Sequence, residues 1–165
     1  MHTVLVSCIG KNGKPNILPI AWAMPTSHEP AMVAISISPN RHSHRLIEET
    51  GEFVINIPTL DIVKETLACG RTSGKNHDKF IETGLTLIPA RKVGAPIVRE
   101  CIAHIECKVR NQFKTGDHTI FVGEIVEATA EKGVFTDRYN LDNAKMLFHL
   151  GGNVFATLDP RICEP

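Results

Sequence analysis

The chain has 165 residues, enough for one domain with a substantial buried core. Lys and Arg number 18 against 18 Asp and Glu, and this zero formal net charge disfavours a duplex-binding surface, which needs a basic excess. No apolar run approaches the roughly 20 residues of a membrane helix, and MHTVLVSCIG lacks the basic region and cleavage site of a secretory signal, so the expected address is the cytoplasm.

In chain order, residues 3–9 form an apolar strand, and Asn12-Gly13 gives a strong hairpin signal. NILPIAWAM (16–24) returns as a strand, with Pro15 and Pro19 placing it at an edge or a barrel rim. A turn through Pro25 to Pro30 leads into AMVAISIS (31–38), apolar on both faces and expected as a buried central strand. SPNRHSHRLIEETGEFVINI (38–57) reads as a polar loop, a helix over 43–50 stopped by Gly51, and a further strand.

Thr59 can cap a helix whose apolar side is Leu60, Val63 and Leu67, ending at Gly70. RTSGKNH (71–77) is a loop, DKFIET a brief helix stopped by Gly84, and LTLIP a short strand. Residues 101–111 alternate, with Ile102 the one apolar intruder on the polar phase. After the KTGDH turn they pair with TIFVGEIVEATA as a hairpin. The segment Tyr139 to His149 is open between a helix and an extended tail that crosses to a partner subunit. Short strands, few helices and a turn about every ten residues predict an antiparallel barrel with helices over its ends.

The five cysteines (8, 69, 101, 107 and 163) have no CxxC spacing and read as reduced thiols serving mainly as small core residues. Cys69, ending a helix beside a polar loop, is the one to watch.

The most informative stretch carries Arg41, His42, Ser43, His44 and Arg45 at a helix start. Free backbone N–H groups there already favour an anion, and two guanidinium groups, a hydroxyl and two imidazoles strengthen the preference. This predicts a phosphate cradle without Walker glycines. A solvated basic loop is one alternative, and a metal held by His42, His44 and His77 is another. The chain lacks GxGxxG, the Walker pattern and GxSxG, which argues against a Rossmann site and an α/β-hydrolase triad.

The succession GKPNILPIAWAM, ISISPNRHSHRLIEETGEFVINI, SGKNHDKF and GDHTIFVGEIVEA resembles the flavin reductase-like family of FMN-binding split barrels, which includes flavoredoxins and ferric reductases. The resemblance covers about residues 3–158, and its motifs are specific only together and in order. It implies a mainly β fold, a six- to seven-stranded antiparallel Greek-key split barrel with short flanking helices. It also implies that residues 1–165 form one FMN-binding domain of a homodimer, with FMN near the dimer interface.

Residue by residue, the resemblance places Asn16 at the position whose side chain reaches the flavin, and Trp22 near the flavin ring between small Ala21 and Ala23. Ser36 precedes the phosphate loop. Ser43 stands where many members have threonine, keeping the hydroxyl, and Arg41, His42 and His44 flank it. Lys79 matches a lysine near the phosphate and ribityl end, and Ser73 shapes the same wall. His118, in GDH, matches a histidine bordering the flavin's open face, the candidate catalytic group. Phe155 matches a covering aromatic, with Phe148 as a competitor. The implied function is an oxidoreductase passing electrons through bound FMN to a flavin, ferric or protein acceptor. NAD(P)H or a ferredoxin-like protein would be the donor. A carrier without NAD(P)H activity and a non-catalytic FMN- or metal-binding module remain alternatives. An oligonucleotide-binding barrel is disfavoured by zero net charge and few aromatic residues.

Overall fold

The computed structural model describes residues 1–163. The strands of its main sheet are β1 (Val4–Ile9), β2 (Pro15–Ile20), β3 (Ala23–His28), β4 (Ala31–Ile37), β5 (Glu52–Ile57), β8 (Ala103–Thr115) and β9 (His118–Ala130). They pair antiparallel in the order β2-β1-β5-β8-β9-β4-β3. The two edges, β2 and β3, are consecutive in the chain and joined only by Ala21 and Trp22. Three Cα steps reach at most about 11 Å, so the sheet must roll until its edges meet. The result is a seven-stranded antiparallel split barrel, with the split at Ala21-Trp22. Ser36 N–H donates to the Trp22 carbonyl at 3.0 Å and closes β4 onto the link.

This corrects the reading of NILPIAWAM as one strand. The apolar pattern runs through the break because Ile20 and Ala23 both pack against the barrel core from opposite edges. The edge expected from Pro15 and Pro19 is present at β2. β4 is second from the other edge, flanked by β3 and β9.

Inside the barrel lie Val4, Val6 and Cys8 of β1 with Val33, Ile35, Phe53, Ile55 and Phe121. The opposite face of β1 and β2 gives Leu5 and Ile17 to a second core beneath the helical layer, with Ile62, Cys69, Phe80 and Leu85. β1 is therefore buried on both faces, which explains its unbroken apolar run. That layer consists of a 3₁₀ turn (Leu60–Ile62), α2 (Val63–Arg71) and α3 (Lys79–Thr83). The Thr59 hydroxyl accepts the Asp61 N–H, capping the 3₁₀ turn rather than α2 itself. The buried stripe is Ile62, Thr66 and Cys69, at helical spacing, not the predicted Leu60, Val63 and Leu67, which are half-buried. α3 forms as predicted, capped by Asp78, whose carboxylate accepts the N–H groups of Phe80 and Ile81, and closed by Gly84 at φ 73°.

α1 (His42–Thr50) plugs one end of the barrel with Leu46 and Ile47 and stops at Gly51, φ 69°. β8 and β9 make the expected hairpin, but with bulges at Glu106/Cys107 and Val109/Asn111. The predicted alternation survives the first bulge, since Ala103, Ile105, Cys107 and Val109 all pack on the barrel core. Glu106, on the opposite face beside Val54, is buried by the segment after β6 (Leu87–Ile88), and its carboxylate accepts the N–H groups of Arg91 at 2.9 Å and Lys92 at 2.6 Å. This pins a strap between β6 and β7 (Ile97–Val98). Asn56 is wholly buried, donates to the Leu5 carbonyl and Ser7 hydroxyl, and accepts from Val98 N–H, tying β5, β1 and β7 together.

Residues 139–149 are not helical. A turn over 141–143, in which Ala144 N–H donates to the Asn140 carbonyl at 2.8 Å, leads into an extended run along the same barrel, where Thr3 N–H donates to the Leu147 carbonyl at 2.8 Å and Ala144, Met146 and Leu147 are buried. The chain then turns back through β10 (Phe148–Gly151) and β11 (Val154–Ala156). Four cysteines are buried and free, and burial pushes the Cys8 and Cys107 thiols up to about 12. Cys69 lies in the second core with its thiol also pushed up by burial, which leaves it little thiolate for chemistry. Among the described residues, no helix is long and apolar enough to cross a membrane.

Candidate functional site

The meeting of β2, α1, α2 and the loop after α2 creates three adjoining hollows. The first, about 140 Å³, is lined by Asn16, Asn40, Arg41, His42, Ser43, Arg71, Ser73, Gly74 and Lys79. The second, about 350 Å³, is bounded by Pro19 to Trp22, Ser36, Ser38, Arg41, Gly70, His118 and His149. The third shares Pro19, Ala21, Arg41, Gly70 and His149 with it and ends at Asn153 and Phe155. Arg41 borders all three, so they form one cleft with a polar end and an apolar, ring-sized end.

At the polar end α1 begins with no side-chain cap and no acidic residue in its first turn. Its leading N–H groups and positive dipole end are thus left for an anion. The buried Ser43 hydroxyl is fixed at 2.8 Å by Asn16 Nδ2, so β2 positions the helix start. Gly74 packs against the far side of the Asn16 amide, so closely that a Cβ there would collide with Oδ1. Lys79 is buried and donates from Nζ to the carbonyls of Ile17 at 2.8 Å and Cys69 at 2.6 Å. Burial lowers its pKa, and its ammonium braces β2 against α2 while facing the polar end. His42 lines this end too, its pKa lowered by burial and then by Arg45 and Lys79.

At the other end Trp22 lies beside His118, ring centroids 4.7 Å apart, with Trp22 half exposed. The His118 Nδ1 pairs with the Asp117 carboxylate at 2.8 Å, and that bond holds the Asp117 carboxyl below its usual range. The ring's Nε2 is left without a protein partner among the described residues, a nitrogen available to a ligand. Phe155 closes the third hollow against His149, whereas its competitor Phe148 packs on the barrel core and His2.

The cleft therefore gathers Asn16, Ala21, Trp22, Ser36, Arg41, His42, Ser43, Ser73, Lys79, His118 and Phe155. Two predicted residues stand elsewhere. His44 points into the barrel, its Nε2 2.8 Å from the Thr119 hydroxyl and its ring against Phe121. Ala23 packs against the core beside Ile35 in β4. With His44 turned inward, the three-histidine arrangement does not assemble. Among the described residues no three metal-ligating groups converge.

Arg71 and His149 were not anticipated. Arg71 borders both the polar end and the third hollow, but a basic residue closing a helix ordinarily reads as a complement to the dipole. His149 comes from a segment whose path no local pattern fixed.

Residues 1–153 match the family model of the flavin reductase-like domain. An uncharacterised protein of Archaeoglobus fulgidus is 37% identical over 153 residues, covering 92% of this chain and 86% of that one. The flavoredoxin of Desulfovibrio vulgaris superposes with a TM-score of 0.90 at 29% identity, covering 99% of this chain and 89% of that one. A ferric-chelate reductase (NAD(P)H) of A. fulgidus is 29% identical over 105 residues, 63% of this chain and 61% of that one.

Proposed function

The chain belongs to the flavin reductase-like domain family, and from that premise we propose that its cleft holds FMN and that the protein is an oxidoreductase. The carrying observation is the pairing of an uncapped, Arg-lined helix start with a small-walled slot ending at Trp22 and His118. A phosphate fits the polar end, where Arg41, Arg71, the Ser43 hydroxyl and the α1 N–H groups supply donors. A flat ring fits the slot, because Ala21, Pro19 and Gly70 keep its walls low. When bound, the flavin supplies reversible acceptance of a hydride or of single electrons, which no side chain here performs.

The protein's own share is binding, orientation and proton management. Asn16 holds Ser43, and Ser43 with Arg41 fixes the phosphate; the slot then sets the ring's depth. The Asp117 carboxylate accepts from His118 Nδ1–H and leaves Nε2 to take up or release a proton at the slot's open mouth. A second copy of the chain would cover Trp22 and Met24, both exposed beside the split, which supports a homodimer.

Two donors fit this reading. NAD(P)H is favoured by likeness to the ferric-chelate reductase; a ferredoxin-like protein is favoured by likeness to the flavoredoxin. The purified protein is expected to be yellow and to release FMN in acid. Colourless protein that takes up no added FMN would overturn the cofactor assignment. Under anaerobic conditions NADH or NADPH should bleach the bound flavin. Bleaching only by dithionite or reduced ferredoxin would assign the carrier. His118→Ala should leave FMN bound and slow reduction by at least about a hundredfold, the lower end of a positioned acid–base group's worth. An identical stopped-flow trace would remove His118 from the mechanism.

A further inference from the structure

The FMN reading assigns the polar end of the cleft and the ring slot, and leaves the third hollow, about 350 Å³, without a role. Its volume falls within the roughly 300–1,000 Å³ range of small-molecule sites. It shares Pro19, Ile20, Ala21, Arg41, Gly70 and His149 with the ring slot, so a molecule held there lies next to the ring. One wall is a face of α2, on which Thr66 and Gly70, and Leu67 and Arg71, stand four residues apart. Thr3, just before β1, adds a second hydroxyl-bearing residue to the lining.

The fold leaves two features of this lining unused. The hydroxyls of Thr3 and Thr66 are buried, the residues being 3% and 0% exposed, yet neither has a hydrogen-bond partner among the described residues. A threonine within a helix can bond back to the carbonyl four residues earlier, and Thr66 does not. A buried hydroxyl left unpaired is costly, so two of them on the lining of one hollow mark polar positions kept for a ligand. The charge is unbalanced as well. Arg41 and Arg71 line both this hollow and the polar end, Lys79 lines the polar end, and no acidic residue lines either among the described residues. The phosphate of FMN brings at most about two negative charges against these three cations. Arg71 makes no ion pair among the described residues, and its planar fork suits a carboxylate. Leu67 and Phe155 supply apolar surface for the rest of such a molecule.

We propose that the third hollow binds a small organic carboxylate beside the flavin ring, through Arg71 and the Thr3 and Thr66 hydroxyls. The proposal rests on the flavin reading of the cleft. Its test is a titration of the FMN-loaded full-length protein with benzoate and with benzamide, its neutral counterpart, followed in the visible absorption band of the bound flavin. Benzoate should perturb that band saturably without releasing FMN. Benzamide should bind at least about tenfold more weakly, since the charge-assisted contact is lost. In Thr66→Val the benzoate affinity should fall by about tenfold while FMN affinity stays within about twofold. The thermal midpoint of that variant without benzoate should not fall, because a methyl replaces a hydroxyl that has no partner. Thr3→Val gives the same reading if Thr66→Val does not fold. No saturable change, equal binding of benzamide, or benzoate affinity unmoved in both threonine variants would overturn the proposal and leave the FMN reading standing. Release of FMN by benzoate would do the same, since it would seat the carboxylate at the phosphate end. So would a lowered midpoint in both variants, which would show that bound water already satisfies the hydroxyls. Protein that takes up no FMN would overturn the flavin reading and the proposal together.

Discussion

Replacing Arg41 and Ser43 together with alanine is expected to weaken FMN binding by at least about a hundredfold. Hydrogen bonds to a charged group are worth about 1.5–3 kcal/mol each, and both donors here would address one phosphate. Because Arg41 and Ser43 stand at one helix start, their effects need not add, and the double variant is measured beside both singles. The two singles also differ in kind. Arg41 is exposed and its truncation should leave stability alone, so its loss reads on affinity only. Ser43 is buried, and removing its hydroxyl leaves Asn16 Nδ2 without its partner, at a stability cost of about 1–3 kcal/mol. Fluorescence titration of both singles and the double, alongside thermal unfolding, separates the two contributions. Unchanged affinity in a folded double variant would mean that the α1 start does not hold the phosphate.

Much of the framework was legible because its signals are local. Gly51 and Gly84 end helices in the left-handed conformation that favours glycine, Asp78 caps α3, and the β8–β9 hairpin follows its alternation. The split was not legible, because nothing in NILPIAWAM distinguishes a continuous strand from one that leaves one edge and enters the other. That distinction is set by β4 and β1, residues far along or before it, when the sheet rolls. The burial of Glu106 was hidden for a similar reason: only the strap's N–H groups make a covered carboxylate tolerable.

A helix turns about 100° per residue, so His42 and His44, once both are helical, lie about 200° apart. They cannot both face the cleft or one metal. Ser43 and His42 face it, while His44 belongs to the barrel, bonded to Thr119. The cleft residues that pattern and family likeness reached lie on β2 and the link after it, on β4, at the α1, α3 and β9 starts, in the loop after α2 and on β11. Arg71 and His149 escaped because each is brought in by packing of distant segments, α2 against β2 and residues 147–149 against the chain's first residues.

Gly74 makes the sharpest test of how the loop after α2 governs the phosphate end. Its backbone is not in the left-handed region, so alanine is conformationally acceptable there and only space is at issue. A Cβ would collide with Asn16 Oδ1 and come within 3.0 Å of Nδ2, so the amide has to move. Asn16 is nearly fully buried, and any movement breaks its bond to Ser43. Gly74→Ala is therefore expected to weaken FMN binding by about tenfold, the worth of one lost positioning hydrogen bond of about 1–1.5 kcal/mol, although it removes no group that touches phosphate. Asn16→Ala should do similar damage. The combination Asn16→Ala/Gly74→Ala should be no worse than Asn16→Ala alone, since the new methyl then occupies the room the amide has left. That non-additivity is the signature of one shared contact. Strictly additive losses in the cycle would show that Gly74 acts through the backbone of its own loop, and the link from that loop through Asn16 to Ser43 would fall.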